Sequence, residues 1–148
     1  MLTDSWTREG EEHALYRKVG DEYQRAWPLG GTSLKGYVSA TFGEMVKLFG
    51  KPEYGCGKAT HEWVLINKHS ARLCASIYNY KETSDWLDAD ERRESNHGFI
   101  SPSAWAKRHK EKRYEWHIGA HTSDIAESAI KFIQDRLEAL REEAADGS

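Results

Sequence analysis

The sequence predicts an α+β fold: an antiparallel sheet of about four strands with helices on one face, in the order β-α-β-β-(insertion)-β-α. Two observations carry this prediction. Apolar and polar residues alternate, as they do in strands, at 32–40, 71–80 and 114–119, and 62–67 is predicted as a further strand. Two other stretches, after Thr41 and after Thr122, place apolar residues at helical spacing behind a capping residue.

Length and composition are those of one globular domain. The chain has 148 residues, of which 39% are hydrophobic and 11% aromatic, and a chain of this size is expected to bury one core. A net charge of −3 argues against a basic surface that binds DNA or RNA polymers. No apolar run approaches the ~20 residues of a membrane span, and the polar, acidic N-terminus is unlike a secretory signal. We therefore expect a cytoplasmic protein that does not bind membranes.

We expect a single domain, 1–148, made of a core and two additions. The core is formed by 30–81 and 114–140, the N-terminal extension is 1–29, and the insertion is 82–113. In the insertion, Ser101 and Pro102 are typical of a helix start. An ordered lid and a solvated loop are both compatible with the mixed charges of this segment.

The extension is predicted to contain one short helix, ended by Pro28. Four aromatic or apolar residues recur there at helical spacing: Tyr16, Val19, Tyr23 and Trp27.

Two helices of the core have clear end signals. Thr41 and Glu44 have the spacing of a capping box, and Gly50 ends the helix that they begin. Its apolar face consists of Met45, Leu48 and Phe49. Thr122 or Ser123 caps the last helix. The apolar stripe of that helix is Ile125, Ala129, Ile130, Ile133, Leu137 and Leu140.

The strands at 62–67 and 71–80 are predicted to form a hairpin, because a short polar stretch separates them. Strand alternation places Ala75 and Ile77 on one face and Tyr78 on the other. In the strand at 114–119, the same alternation places Trp116 in the core.

The sheet face away from the helices is the first candidate binding surface. We expect it to present Tyr78, Tyr80 and His117, with Lys81 close by. Flat rings and one cation suit a stacked base with a phosphate. Rings at strand spacing also fill space beneath an insertion or a second subunit, and this alternative stays open.

The stretch Gly30–Gly36 is the second candidate. Its glycines allow close backbone approach, while Thr32, Ser33 and Lys35 offer hydroxyls and charge for a phosphate. It lacks the spacing of a P-loop, and a simple turn that leads into a strand explains it equally well.

Signals for catalysis or metal binding are weak. The seven histidines form no HExxH or HxH motif. Cys74 has the position of a core residue, and Cys56 has no obvious base beside it; we expect both to be reduced thiols. We therefore expect no metal, no cofactor and no enzymatic activity.

Several phrases of the sequence together resemble one family. GTSLKGYVSATFGEMVKLFGKP, THEWVL, ASIYNYK and EWHIG are similar to a frame shared by small proteins of bacteriophages and mobile elements. The resemblance covers roughly 30–81 and 114–140, and leaves out 1–29 and 82–113.

These proteins are similar to phage immune-evasion sponges that sequester the cyclic nucleotide signals of the bacterial CBASS defence. The resemblance implies non-enzymatic binding of a cyclic di- or trinucleotide by a homo-oligomer in the host cytoplasm. On that basis the ligand-binding residues are expected to be Thr32, Ser33, Lys35, Tyr78, Lys81, Trp116 and His117. The alternative is an inhibitor or assembly partner of a host protein, which acts through exposed aromatics such as Trp86 and Trp105.

Overall fold

The computed structural model describes residues 6–8, 16–19, 22–25, 32–55, 58–67, 70–86 and 100–146. Within these residues the chain forms seven strands and three helices. The strands are β1 (Trp6–Arg8), β2 (Tyr16–Val19), β3 (Glu22–Arg25), β4 (Ser33–Thr41), β5 (Glu62–Asn67), β6 (Ser70–Tyr78) and β7 (Arg113–Ala120). The helices are α1 (Phe42–Phe49), α2 (Pro102–Arg108) and α3 (Ser123–Asp146).

One antiparallel sheet organises the fold, with the strand order β1-β5-β6-β7-β4. The predicted α+β class is confirmed, and all four predicted strands are present. The sheet gains a fifth strand at its edge, because β1 pairs with β5.

The prediction of a helix from the spacing of Tyr16 to Trp27 is wrong for the part that is described. Strands β2 and β3 pair antiparallel there, with Val19 opposite Glu22. The sequence between them is Gly-Asp, which is typical of a two-residue hairpin connection. Four residues at helical spacing were too short a pattern to outweigh that turn signal.

The helices and the sheet enclose one main core. Trp63, Trp116, Ile118 and Ile133 are at most 1% exposed. The indole nitrogens of the two tryptophans donate to backbone carbonyls, from Trp63 to Gly50 at 2.8 Å and from Trp116 to Ala40 at 3.0 Å. Both buried N–H groups are therefore satisfied, as burial requires.

The predicted helix caps are present. Thr41 and Glu44 form a reciprocal capping box at the start of α1, and Gly50 follows its end at a φ of 81°, where a glycine is favoured. Ser101 caps α2, whose first residue is Pro102. The Thr122 hydroxyl accepts a bond from the backbone of the first turn of α3.

Parts of the two segments that we expected outside the core contribute to it. Trp6, in the N-terminal extension, is 3% exposed and donates its indole N–H to the Ser128 hydroxyl at 3.0 Å. Trp105, in the insertion, is 2% exposed and packs against Trp116. Residues 100–113 of the insertion expected at 82–113 are thus part of the packed domain, whereas residues 87–99 of it lie outside the described residues.

Candidate functional site

The sheet face away from the helices carries a row of residues across four strands. The register places Glu62 opposite Tyr78, Tyr78 opposite His117, and His117 opposite Tyr37. Because directly opposed residues on antiparallel strands share a face, these side chains lie on one surface. Alternation thus correctly predicted that Tyr78 and His117 meet there.

Three tyrosines surround the His117 ring on this face. The ring centroids of Tyr37, Tyr78 and Tyr80 lie 5.0, 5.4 and 5.7 Å from that of His117. Tyr37 is 48% exposed and Tyr80 is 41% exposed. We call Tyr37, Tyr78, Tyr80 and His117 the outer-face cluster. It offers partly exposed aromatic rings to solvent.

A fourth tyrosine, Tyr114, lies next to the His117 imidazole. The Tyr114 hydroxyl accepts the backbone N–H of Tyr80 at 3.2 Å and lies 3.4 Å from Nδ1 of His117. Burial raises the pKa of the Tyr114 hydroxyl far above its usual range, so this group keeps its proton. It can donate to Nδ1 or accept from it, according to which ring nitrogen carries the hydrogen of the neutral imidazole.

Burial also lowers the pKa of His117 below its ordinary 6.5. The free imidazole is therefore neutral at pH 7, and it acts as a hydrogen-bond donor and a stacking surface rather than as a fixed charge.

Lys81 supplies the positive charge beside the cluster. Its Nζ lies 5.4 Å from the centroid of the Tyr80 ring, within the range of a cation–π contact. Its backbone has a φ of 55°, which costs a residue with a Cβ roughly 1–2 kcal/mol. Its backbone N–H donates to the Lys58 carbonyl at 2.7 Å, which holds this unfavourable conformation in place.

Gly119 permits a close approach beside the cluster. A Cβ on Gly119 would stand 2.8 Å from the Ser76 hydroxyl oxygen and 3.4 Å from Cε1 of Tyr78. The first distance is too short, so that a larger residue would displace Ser76, whereas the second is close to an ordinary contact. The glycine of the EWHIG phrase is therefore a packing requirement of the sheet next to Tyr78.

Trp116 does not belong to this site. It is fully buried on the helix side of the sheet, where its ring contacts Trp63 and Trp105. The period of two that brings His117 to the outer face turns Trp116 inward. Its expected role as a ligand-binding residue is therefore corrected.

The predicted phosphate loop lies apart from the cluster. Ser33 pairs with Ala120, three residues along β7 from His117, and thus about 10 Å away. Lys35 falls at a register shift between Leu34 and Gly36 and is exposed. The structure therefore does not bring Thr32 and Ser33 together with the rings, and it leaves Lys35 between the two groups.

The aromatics expected to anchor a protein partner have different positions. Trp105 is buried beneath His61 and His109 and is unavailable as an exposed anchor. The side chain of Trp86 and the whole of Cys56 lie outside the described residues. Cys74 is fully buried. Across the ranges that are described, no three His, Cys, Asp or Glu side chains form a group that could hold a metal ion.

Sequence reasoning missed Tyr37 and Tyr114 as members of the site. Tyr37 alternates with Val38 in a predicted strand, and so it could have been placed on the outer face. The position of β4 next to β7 was not predicted, because local periodicity does not show which strands are neighbours. Alternation places Tyr114 on the same face as the buried Trp116, yet its hydroxyl lies 3.4 Å from Nδ1 of His117.

Three cavities lie around α1, away from the outer-face cluster. Their volumes are about 470, 430 and 330 Å³.

No helix of the described part is both long and apolar enough to cross a membrane. Comparison of the chain with protein-family models and with curated proteins gives no match.

Proposed function

We propose that this protein binds a cyclic di- or trinucleotide and sequesters it without hydrolysing it, as the sponge proteins that its sequence resembles do. One observation supports this proposal above all others: Tyr37, Tyr78 and Tyr80 surround a neutral His117 on a partly open sheet face.

The bases of the ligand stack on the exposed tyrosine rings. One stacked base contributes about 1–3 kcal/mol, as judged by alanine substitution. A nanomolar dissociation constant corresponds to about 12 kcal/mol, so that stacking of two bases supplies only part of the affinity. Phosphate contacts must contribute the rest.

Phosphate recognition is assigned to Lys81 and to the imidazole of His117. A phosphate next to the imidazole favours its protonated form, because opposite charge raises the pKa of a histidine. Binding then takes up a proton. Lys35, exposed between the cluster and Ser33, extends the positive charge along β4.

A second copy of the chain completes the site in this proposal. An open face stacks a base on one side only, whereas two apposed faces enclose it and exclude water. Exclusion of water strengthens each charge contact. We therefore propose that the protein acts as a homo-oligomer, in the cytoplasm of the host of a phage.

A second function uses the same face. Exposed tyrosines are frequent anchors of protein interfaces, and Tyr37 and Tyr80 are the most exposed rings of the cluster. In this alternative the chain inhibits, or assembles with, a host protein.

A thermal-shift panel of cyclic di- and trinucleotides separates the two functions. The proposal predicts a higher Tm with at least one member, and recovery of the intact nucleotide after the complex is heated. No shift with any cyclic nucleotide, together with capture of one stoichiometric host protein that Tyr80→Ala abolishes, would establish the alternative. Recovery of cleaved nucleotide would show an enzyme.

A further inference from the structure

A second surface of the molecule combines an apolar groove with positive charge. The groove lies between α1 and the end of α2, has a volume of about 330 Å³, and is lined by Phe42, Val46 and Ala106. Three lysines stand around it: Lys47, Lys107 and Lys110. All three are exposed.

Backbone contacts fix the floor of this groove. The backbone N–H groups of Phe42 and Gly43 donate to the carbonyls of His109 and Lys110, at 2.8 and 3.1 Å. A Cβ on Gly43 would lie 2.6 Å from the Lys110 carbonyl oxygen, so that only glycine permits this approach. The groove is therefore held between rigid elements before any partner arrives, which lowers the entropy cost of binding.

The groove continues into a polar cavity of about 430 Å³, which shares Gly43, Lys47 and Lys110 with it. Arg113 adds a further cation there, and Glu111 adds an acidic side chain. Arg141 is paired with the carboxylate of Glu44 at 2.7 Å, so that these two charges offset each other.

The charge of this surface opposes that of the chain. The chain has a net charge of −3, but residues 107–113 contain five basic side chains and one acidic side chain. An apolar floor with a cationic rim is complementary to an apolar group with carboxylates beside it. Clustered cations also attract such a partner over a distance of about one Debye length, ~10 Å at 0.1 M salt.

We propose that this groove docks an acidic peptide segment of a partner protein, with one hydrophobic side chain in the apolar part and its carboxylates along the cationic part. An extended nucleic acid makes mostly phosphate contacts and has no use for the apolar floor, so that we favour a peptide. The site lies on the helix side of the sheet and is independent of the proposed nucleotide binding.

The test uses the full chain and a short fluorescein-labelled peptide in which a central Leu-Phe pair is flanked by glutamates. Fluorescence anisotropy is expected to show saturable binding that Lys107→Glu combined with Lys110→Glu weakens by at least about tenfold, the scale of a lost charge cluster at an interface. Lys112→Glu is the matched control, because Lys112 is exposed in the same basic stretch and does not line the groove. It is expected to change the affinity less than about twofold.

Two further arms test the apolar part and the class of partner. A peptide with Ser-Ser in place of Leu-Phe is expected to bind far more weakly, and so is the original peptide when Ala106→Glu fills the groove. Equal losses in Lys112→Glu and the double variant, or equal binding of both peptides, would overturn the proposal. Tighter binding of single-stranded RNA that depends on the same two lysines would also overturn it and assign the surface to nucleic acid.

Discussion

The two faces of the sheet use aromatic residues in opposite ways. On the helix side, Trp63, Trp105 and Trp116 are at most 2% exposed and contact one another edge to face. On the outer face, Tyr37 and Tyr80 are more than 40% exposed around a histidine. The residue types differ as well, since tryptophans fill the inside and tyrosines line the outside.

Rings on the helix side contribute to the core, whereas rings on the outer face stay available for binding. The buried tryptophans of β5 and β7 satisfy their single N–H on carbonyls of the chain itself, and nothing of them remains for a ligand. The outer rings keep accessible faces, and the Tyr114 hydroxyl lies beside them. The outer face also buries a small cluster, Val64 and Cys74. The helix side therefore holds the main core, and the exposed rings of the outer face are free to determine binding.

Truncation of one ring on each face is the strongest way to test this division. Trp116→Ala is expected to lower the free energy of unfolding by about 3–5 kcal/mol, because it empties a fully enclosed site. Tyr37→Ala is expected to change it by less than about 1 kcal/mol. Urea unfolding measures both, and similar losses for the two variants would refute the division.

Lowering the pH should reduce the stability of the fold more through His61, on the helix side, than through His117, on the outer face. Burial lowers the pKa of His61 from 6.5 to about 4, and the ring lies between Phe42 and Trp105. The unfolded chain binds a proton on this residue before the folded chain does, so that stability is lost as pH falls from 6.5 towards 4. One pKa unit corresponds to about 1.36 kcal/mol, and the expected loss is roughly 3 kcal/mol.

Urea midpoints measured against pH test this expectation. His61→Gln should flatten the decline, whereas His117→Gln, a change on the half-buried outer ring, should leave most of it in place. A decline that is as steep in His61→Gln as in the parent protein would show that other groups cause it.

Only substitutions in the outer-face cluster should change the affinity for the ligand. Tyr78→Ala is expected to weaken binding of the cyclic nucleotide found by the thermal-shift panel by more than about tenfold, since one stacked base is lost. Tyr54→Ala is the matched control, because Tyr54 is also exposed but bonds to Asp85 at the edge of the sheet. Calorimetry measures both affinities, and an unchanged affinity in a folded Tyr78→Ala protein would remove that residue from the site.

The smallest expected effect is that of Lys81. Lys81→Ala should weaken binding roughly fivefold at low salt, as befits about 1 kcal/mol for one exposed charge contact, and should reduce the salt dependence of the affinity. Alanine retains the unfavourable backbone conformation, so that the comparison isolates the ammonium group. Lys58→Ala serves as the control, and an equal effect of both changes would indicate only general attraction by positive charge.

The strand and helix segments of the core could be predicted from the sequence because their signals are local. Capping residues and alternation depend on neighbours within a few positions, as Thr41 with Glu44 and Ile77 with Tyr78 illustrate. Alternation also placed Tyr78 and His117 on the outer face. It gave no information about which strands are neighbours, and this is why Tyr37 was missed.

Long-range packing explains the other differences. Trp6 and Trp105 sit in polar, charged surroundings in the sequence and nevertheless lie in the core, because tertiary contacts supply the apolar environment that their neighbours lack. The expected grouping of Thr32 and Ser33 with the rings failed because a strand separates residues in space at about 3.4 Å each. Residue types alone do not show how far Thr32 and Ser33 lie from the outer-face cluster.

Imidazole NMR of the full chain, titrated with the cyclic nucleotide from the panel, reports whether the ligand binds at the outer-face cluster. We predict that the ring resonances of His117 shift and that its pKa rises as an anionic ligand binds, while the resonances of His61 and His109 on the helix side stay in place. Saturable binding that leaves His117 unmoved, or that moves the buried histidines instead, would contradict the account.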